Sequence, residues 1–100
     1  MEPHIEHNWW DRCEIADRID PDLLPEMMKD IHSEVRWRVA RRIDPARLHE
    51  MMKDPSWLVR LKVAGRIPRR YLASMLIRET DPEVLEIIQE KLSQPTRMGV

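Results

Sequence analysis

The chain has 100 residues, the size of one domain, with a formal net charge of −1 and a pI of about 6.4. This near-neutral balance excludes a global attraction to a polyanion, its single cysteine excludes a disulfide framework, and no uncharged stretch is long enough to span a bilayer. Two glycines and an abundance of Leu, Met, Arg and Glu point to an all-α fold.

The first ten residues, "MEPHIEHNWW", form an N-terminal segment (1–10). The segment is acidic and lacks a basic region followed by an apolar run, so it does not read as a secretory signal. A cytoplasmic location is the expectation. His4 and His7, with Cys13 six residues on, supply three N/S ligands. A closed zinc site wants four, at other spacings, so no metal site is expected. Trp9 and Trp10 carry two readings. They cover the open face of the first repeat unit, the favoured reading, or they stand exposed as a hot spot for a partner.

From Arg18 the chain reads "RIDPDLLPEMMKD", and from Arg42 it reads "RIDPARLHEMMKD", 24 residues later. The period carries on through Ala16, Ala40 and Ala64, through Ile19, Ile43 and Ile67, and through Leu24, Leu48 and Leu72. Each unit holds two helical segments. In "EVRWRVARRI", Val35, Val39 and Ile43 lie at i, i+4, i+8 with Ala40 beside them, one apolar stripe. In "PARLHEMMK", Leu48, Met51 and Met52 make a second stripe. Asp20-Pro21 and Asp44-Pro45 read as an N-cap followed by a first-turn proline, and Asp54-Pro55 and Asp81-Pro82 are expected to serve the next two helices in the same way. Cys13 shares its position with Trp37, Leu61 and Leu85 and is expected to be a buried small apolar residue. The paired methionines Met27/Met28 and Met51/Met52 read as core filling.

A strict 24-residue count places Glu83 at the Val35/Val59 position and Lys91 at the Ile43/Ile67 position. The helix "PEVLEIIQEKL" then reads as a polar C-terminal cap, and 93–100 as a disordered tail. Short helices that cannot bury their stripes alone stack into a solenoid. The expectation is a repeat domain over 11–92, built as an α-solenoid of about three and a half two-helix units.

The unit resembles the leucine-rich repeat variant, whose motif runs V-R-x-x-V-A, then a proline-led helix with L-x-x-L, then an acid. Here it appears as "VRWRVARRIDPARLHEMMKD" from Val35 and "VRLKVAGRIPRRYLASMLIRE" from Val59. The first unit keeps Arg12, Ile15 and Ala16 but has Asp11 for the valine. The resemblance implies a right-handed stack of alternating helices, sometimes with one helix in 3₁₀ form. Relatives of this type occur beside nitrogen-fixation genes, and some carry a cysteine-ligated iron–sulfur cluster. One cysteine cannot supply four thiolates, so the cluster is not carried over.

No glycine-rich phosphate loop and no nucleophile motif is present, so no catalytic residue, no cofactor and no enzyme activity is expected. Charge is more informative. Residues 1–35 carry 3 Lys/Arg against 10 Asp/Glu, residues 36–70 carry 11 against 3, and residues 71–100 carry 3 against 5. A basic centre thus lies between acidic ends. Arg12, Arg36 and Arg60 form one ladder, and Arg18, Arg42 and Arg66 another. Asp30 and Asp54 stand six residues before Arg36 and Arg60, so ion pairing between units is the expected use of the first ladder. Arg38, Arg41, Arg47, Lys62, Arg69 and Arg70 have few acidic neighbours in sequence. Arg38, Arg41, Lys62, Arg69 and Arg70, with Trp57, are the candidate partner-binding residues. Two functions compete: an adaptor that binds an acidic protein partner, and a nucleic-acid-binding protein that stacks bases on Trp37, Trp57 or Tyr71. The acidic ends favour the adaptor.

Overall fold

The structure, a computed structural model, describes residues 8–95. His4, His7 and the tail from residue 96 therefore lie outside the described residues.

The described chain is all-α and repeat-like, built of paired helices. Four α-helices carry the apolar stripes: α1 (Trp9–Arg18), α2 (Ser33–Arg42), α3 (Trp57–Arg66) and, after the short α4 (Leu72–Arg78), α5 (Pro82–Ser93). Between them run 3₁₀ helices η1 (Pro21–Met27), η2 (Pro45–Met51) and η3 (Arg69–Tyr71), the last continuing directly into α4. Isolated helices below ~12–15 residues are marginal in water, so elements this short depend on stacking. Accordingly α1 packs on α2, α2 on α3 and α3 on α5, while η1 leans on α2, η2 on α3 and α4 on α5. The radius of gyration, 15.5 Å, exceeds the roughly 13 Å of a compact domain of this length, as a linear stack requires.

The core is the set of stripes read from the sequence. Val35, Val39, Ala40 and Ile43 of the second pair, and Val59, Val63 and Ala64 of the third, have no solvent exposure. Leu24, Leu48 and Leu72 bring the second helices onto the same core. Met28, Met51 and Met75 fill it, and Cys13 is buried within it. Burial pushes the Cys13 thiol up, away from the reactive thiolate.

Three capping expectations hold and one fails. The Asp20 and Asp44 carboxylates accept from the N–H groups of Asp22 and Ala46, each ahead of a first-turn proline, and Asp81 accepts from Glu83 and Val84 in the same role. Asp54 caps nothing: α3 starts at Trp57 with Ser56 at its N-cap. The Asp54 carboxylate is held instead by Arg36.

The fourth unit is shifted by one residue from the strict 24-residue count. Val84 and Ile88, not Glu83 and Ile87, are the fully buried positions of α5. The cause lies just before it. The second segments of the first two pairs close by i→i+3 bonds, Asp30 N–H to Met27 O and Asp54 N–H to Met51 O. The third closes by an i→i+4 bond, Glu79 N–H to Met75 O. An α-turn takes one more residue than a 3₁₀ turn, and the sequence LASMLIR, rich in Leu, Ala and Met, favours it. Lys91 therefore takes the place of Arg42 and Arg66, not of Ile43 and Ile67. Gln89 and Glu90 stand exposed where α3 carries Ala64 and Gly65, which leaves the outer face of α5 polar.

Ala40 has no exposed surface and sits in the contact between stacked helices. Replacing it with Leu should overpack that contact and lower stability by about 1–3 kcal/mol. A urea titration of Ala40→Leu with an unchanged midpoint would show the register to be wrong.

Candidate functional site

The first arginine ladder is internal. Arg12 donates from Nε and Nη2 to the Asp30 carboxylate at 2.7 and 3.1 Å, Arg36 to Asp54 at 2.8 and 3.1 Å, and Arg60 to Glu79 at 2.9 and 2.9 Å. Each acid also accepts a backbone N–H two residues on, from His32, Ser56 and Asp81. The expected Asp30–Arg36 and Asp54–Arg60 ion pairs are not formed. Arg36 and Arg60 reach back to those residues through their main-chain carbonyls, at 2.7 and 2.8 Å. Six residues of separation thus gives a carbonyl contact between pairs, and the carboxylate goes to the arginine 18 residues before it.

Burial alone would push the Asp30 and Glu79 carboxyls up. Arg12 and the His32 N–H outweigh it at Asp30, Arg60 and the Asp81 N–H do so at Glu79, and both groups lie below their ordinary values.

The second ladder caps helix ends. Arg42 donates to the carbonyls of Ala16 and Ile19 at 2.7 and 2.9 Å, and Arg66 to that of Ala40 at 2.7 Å. Lys91 continues the ladder, with Nζ 3.3 Å from the Gly65 carbonyl. These cations meet the unpaired carbonyls and negative dipole end of the preceding helix. Arg18 has no preceding helix among the described residues and is exposed.

Two of the candidate partner-binding residues also have internal partners. Arg38 pairs with Asp17 of α1 and stands 3.6 Å from Glu34. Arg69 donates to the Lys91 and Leu92 carbonyls at 2.6 and 2.9 Å, capping α5. Glu34 stands four residues before Arg38, but Asp17 and the two carbonyls lie 21 to 23 residues away, beyond the reach of sequence neighbours. Arg47 pairs with Glu50. Of the cations in residues 36–70, Arg41, Lys53, Lys62 and Arg70 have neither a carboxylate nor a carbonyl partner among the described residues.

Two of these cations gather on one ring. The Trp37 indole, half-buried on α2, has Arg41 at 5.2 Å and Lys62 at 5.4 Å from its centroid, with Arg38 at 5.9 Å. The sequence offers Trp37 as an apolar repeat position and as a base-stacking candidate, and its i+4 spacing to Arg41 puts those two on one helix face. Arg70 lies 4.8 Å over Tyr71, whose ring stacks with His49 at 5.3 Å. Trp57, at the first position of α3, is 38% exposed. Trp9 and Trp10 open α1 itself. Trp9 stacks on His32 at 4.4 Å, while Trp10, 61% exposed, leaves most of its surface in solvent.

Among the described residues no group of three His, Cys, Asp or Glu side chains could hold a metal ion, and no helix is long and apolar enough to cross a membrane. No protein family matches the chain, and no curated protein or solved structure matches it either.

The arginine ladder should govern acid stability. A carboxyl whose folded pKa is depressed stabilises the fold above its unfolded value, about 4, and loses that contribution as pH falls through the folded value. Asp30→Asn should lower the urea midpoint at pH 7 and flatten the decline below pH 4. An undiminished acid decline would assign it to other carboxylates. Arg36→Gln should cost on the order of 3 kcal/mol, because it leaves Asp54 buried and unpaired. Thermal or urea unfolding checks this directly.

Proposed function

We propose that the chain is a non-enzymatic, cytoplasmic adaptor that binds an acidic protein partner across the basic surface of α2 and α3. On this reading it is a right-handed α-solenoid of about three and a half units, of the leucine-rich repeat variant type. One observation carries the proposal: after the internal pairings are assigned, Arg41 and Lys62 remain un-neutralised and gathered at one aromatic ring. The other arginines of the stacking contacts meet a carboxylate or a helix end, and these two meet only the ring. Cations at a surface with an apolar neighbour speed encounter with an acidic protein and orient it. Trp37 serves as a support for cations rather than as a bare platform.

The 24-residue unit and its V-R-x-x-V-A motif support the repeat type. An accessory place in nitrogen fixation or iron–sulfur chemistry rests on that resemblance alone. Nucleic acid is the competing partner. Against it, the Trp37 and Tyr71 rings are already engaged by cations and by His49, so neither offers a bare face to a base.

Arg41→Gln, Lys62→Gln and Arg70→Gln together should shift stability by no more than about 0.5 kcal/mol each. Capture of the partner from native lysate should fall and lose its salt dependence. Arg38→Gln and Arg69→Gln should instead lower the melting temperature, since both hold the stack. Unchanged capture by the triple variant at low and high salt would place the partner elsewhere. A tight, salt-sensitive complex with random-sequence nucleic acid, and no protein captured, would favour the competing reading.

A further inference from the structure

The contact of α2 on α1 recurs as the contact of α3 on α2, and its charge reverses between the two. In the first, Asp17 pairs with Arg38 and Glu34 adds a second carboxylate. Twenty-four residues on, Arg41 stands for Asp17, Leu58 for Glu34 and Lys62 for Arg38. The ion pair has become two like charges beside one indole, with the neighbouring acid replaced by a leucine that is 47% exposed. In the third contact, α5 on α3, the shifted register puts Gly65 in the place of Arg41, Ile87 in that of Lys62 and Glu83 in that of Leu58, so the central pair is uncharged. The packing therefore accepts an ion pair or a neutral pair, and does not require two cations. Like charges at neighbouring positions are destabilising, and the Trp37 ring offsets this only in part.

We propose that Arg41, Lys62 and the Trp37 indole form the docking point for one carboxylate of an acidic protein segment. That carboxylate supplies from outside the anion that Asp17 supplies within the α1–α2 contact. The proposal rests on the adaptor reading and narrows it to one spot and one chemistry. Beside Trp37 a shallow groove of about 230 Å³ runs between the first turns of α2 and α3, lined by Ser33, Glu34, Ser56 and Leu58. Leu58 and the Trp37 edge give it an apolar floor for the side chain next to the acid. The docked segment thus places an Asp or Glu close to an apolar residue. A long polyanion fits poorly. Glu34 lines the same groove, and Asp17 lies across Arg38 from the ring, so the cations form a spot and not a track.

The test uses an acetylated, amidated decapeptide of alternating Leu and Glu, titrated into the isotopically labelled chain. The Trp37 indole N–H and Arg41 side-chain resonances should shift and saturate. Arg41→Gln and Lys62→Glu should each weaken the peptide by about tenfold or more, while Arg78→Gln, which removes an exposed cation elsewhere, should not. Lys62→Glu should also raise the melting temperature by about 2–4 °C, because it restores an ion pair at the α2–α3 contact. The proposal falls if Trp37 does not respond, if Arg78→Gln weakens the peptide equally, or if Lys62→Glu fails to stabilise. It falls equally if oligothymidylate displaces the peptide at the same spot, or if sedimentation shows the spot filled by a second copy of the chain. A lysate partner held equally by the wild type and Lys62→Glu would overturn this site and leave the adaptor reading standing. Expected peptide behaviour with no partner captured would keep the site and remove the adaptor.

Discussion

The stack depends on an acidic residue at the end of each second segment, where an arginine, a turn and the next helix meet. Asp30, Asp54 and Glu79 each end a second helical segment. Each holds the arginine of its own first helix, closes its own turn through a backbone N–H, and sits close to where the next pair begins. Asp30 and Asp54 go further and offer their carbonyls to the arginine of the following helix. Helices of this length have little stability alone. Apolar burial pulls them together but does not choose an angle or a register. A bidentate arginine does, because its fork has one geometry. The hub therefore converts a sticky set of short helices into one ordered arrangement. Asp54, 9% exposed, shows the depth at which it operates.

The same logic explains why a basic centre need not mean a basic surface. Most cations of residues 36–70 are spent on holding helices together, either against carboxylates or against the carbonyl ends of preceding helices. A carbonyl end carries only about half a charge, so the arginines that cap it keep part of their field. Only Arg41, Lys53, Lys62 and Arg70 of that segment have neither a carboxylate nor a carbonyl partner among the described residues. The concentration of Arg41 and Lys62 at Trp37 follows from repetition: a helix-to-helix contact copied with altered residues keeps its shape and changes its electrostatics.

The spacing of the repeat is set by hydrogen-bond closure. A 3₁₀ ending and an α ending deliver the chain to nearly the same place with different residue counts. The third pair takes the α ending, and all positions after it slide by one. Lys91 falls into the helix-capping ladder because of that slide.

The periodic residues by themselves determined the paired helices, the buried stripes, the proline-led second segments and the arginine ladders, because each is a local pattern repeated at constant spacing. Val39, Ala40, Leu48 and Cys13 could be assigned to the core on that basis. The acidic neighbours of Arg41 and Lys62 could also be counted in the sequence, and there were few. Only the tertiary structure decided which cations were already occupied. Asp17, which holds Arg38, and the carbonyls that hold Arg69 lie about a unit away and on other helices. It also decided that Asp54 is an ion-pair hub and not a cap, because α3 starts two residues later than a proline-led cap would have it, and the carboxylate meets Arg36 and the Ser56 N–H instead. The gathering of Arg41 and Lys62 at Trp37 was likewise invisible along the chain: it is a contact between two helices, and charge in a linear sequence carries no record of which neighbour packing will bring to it.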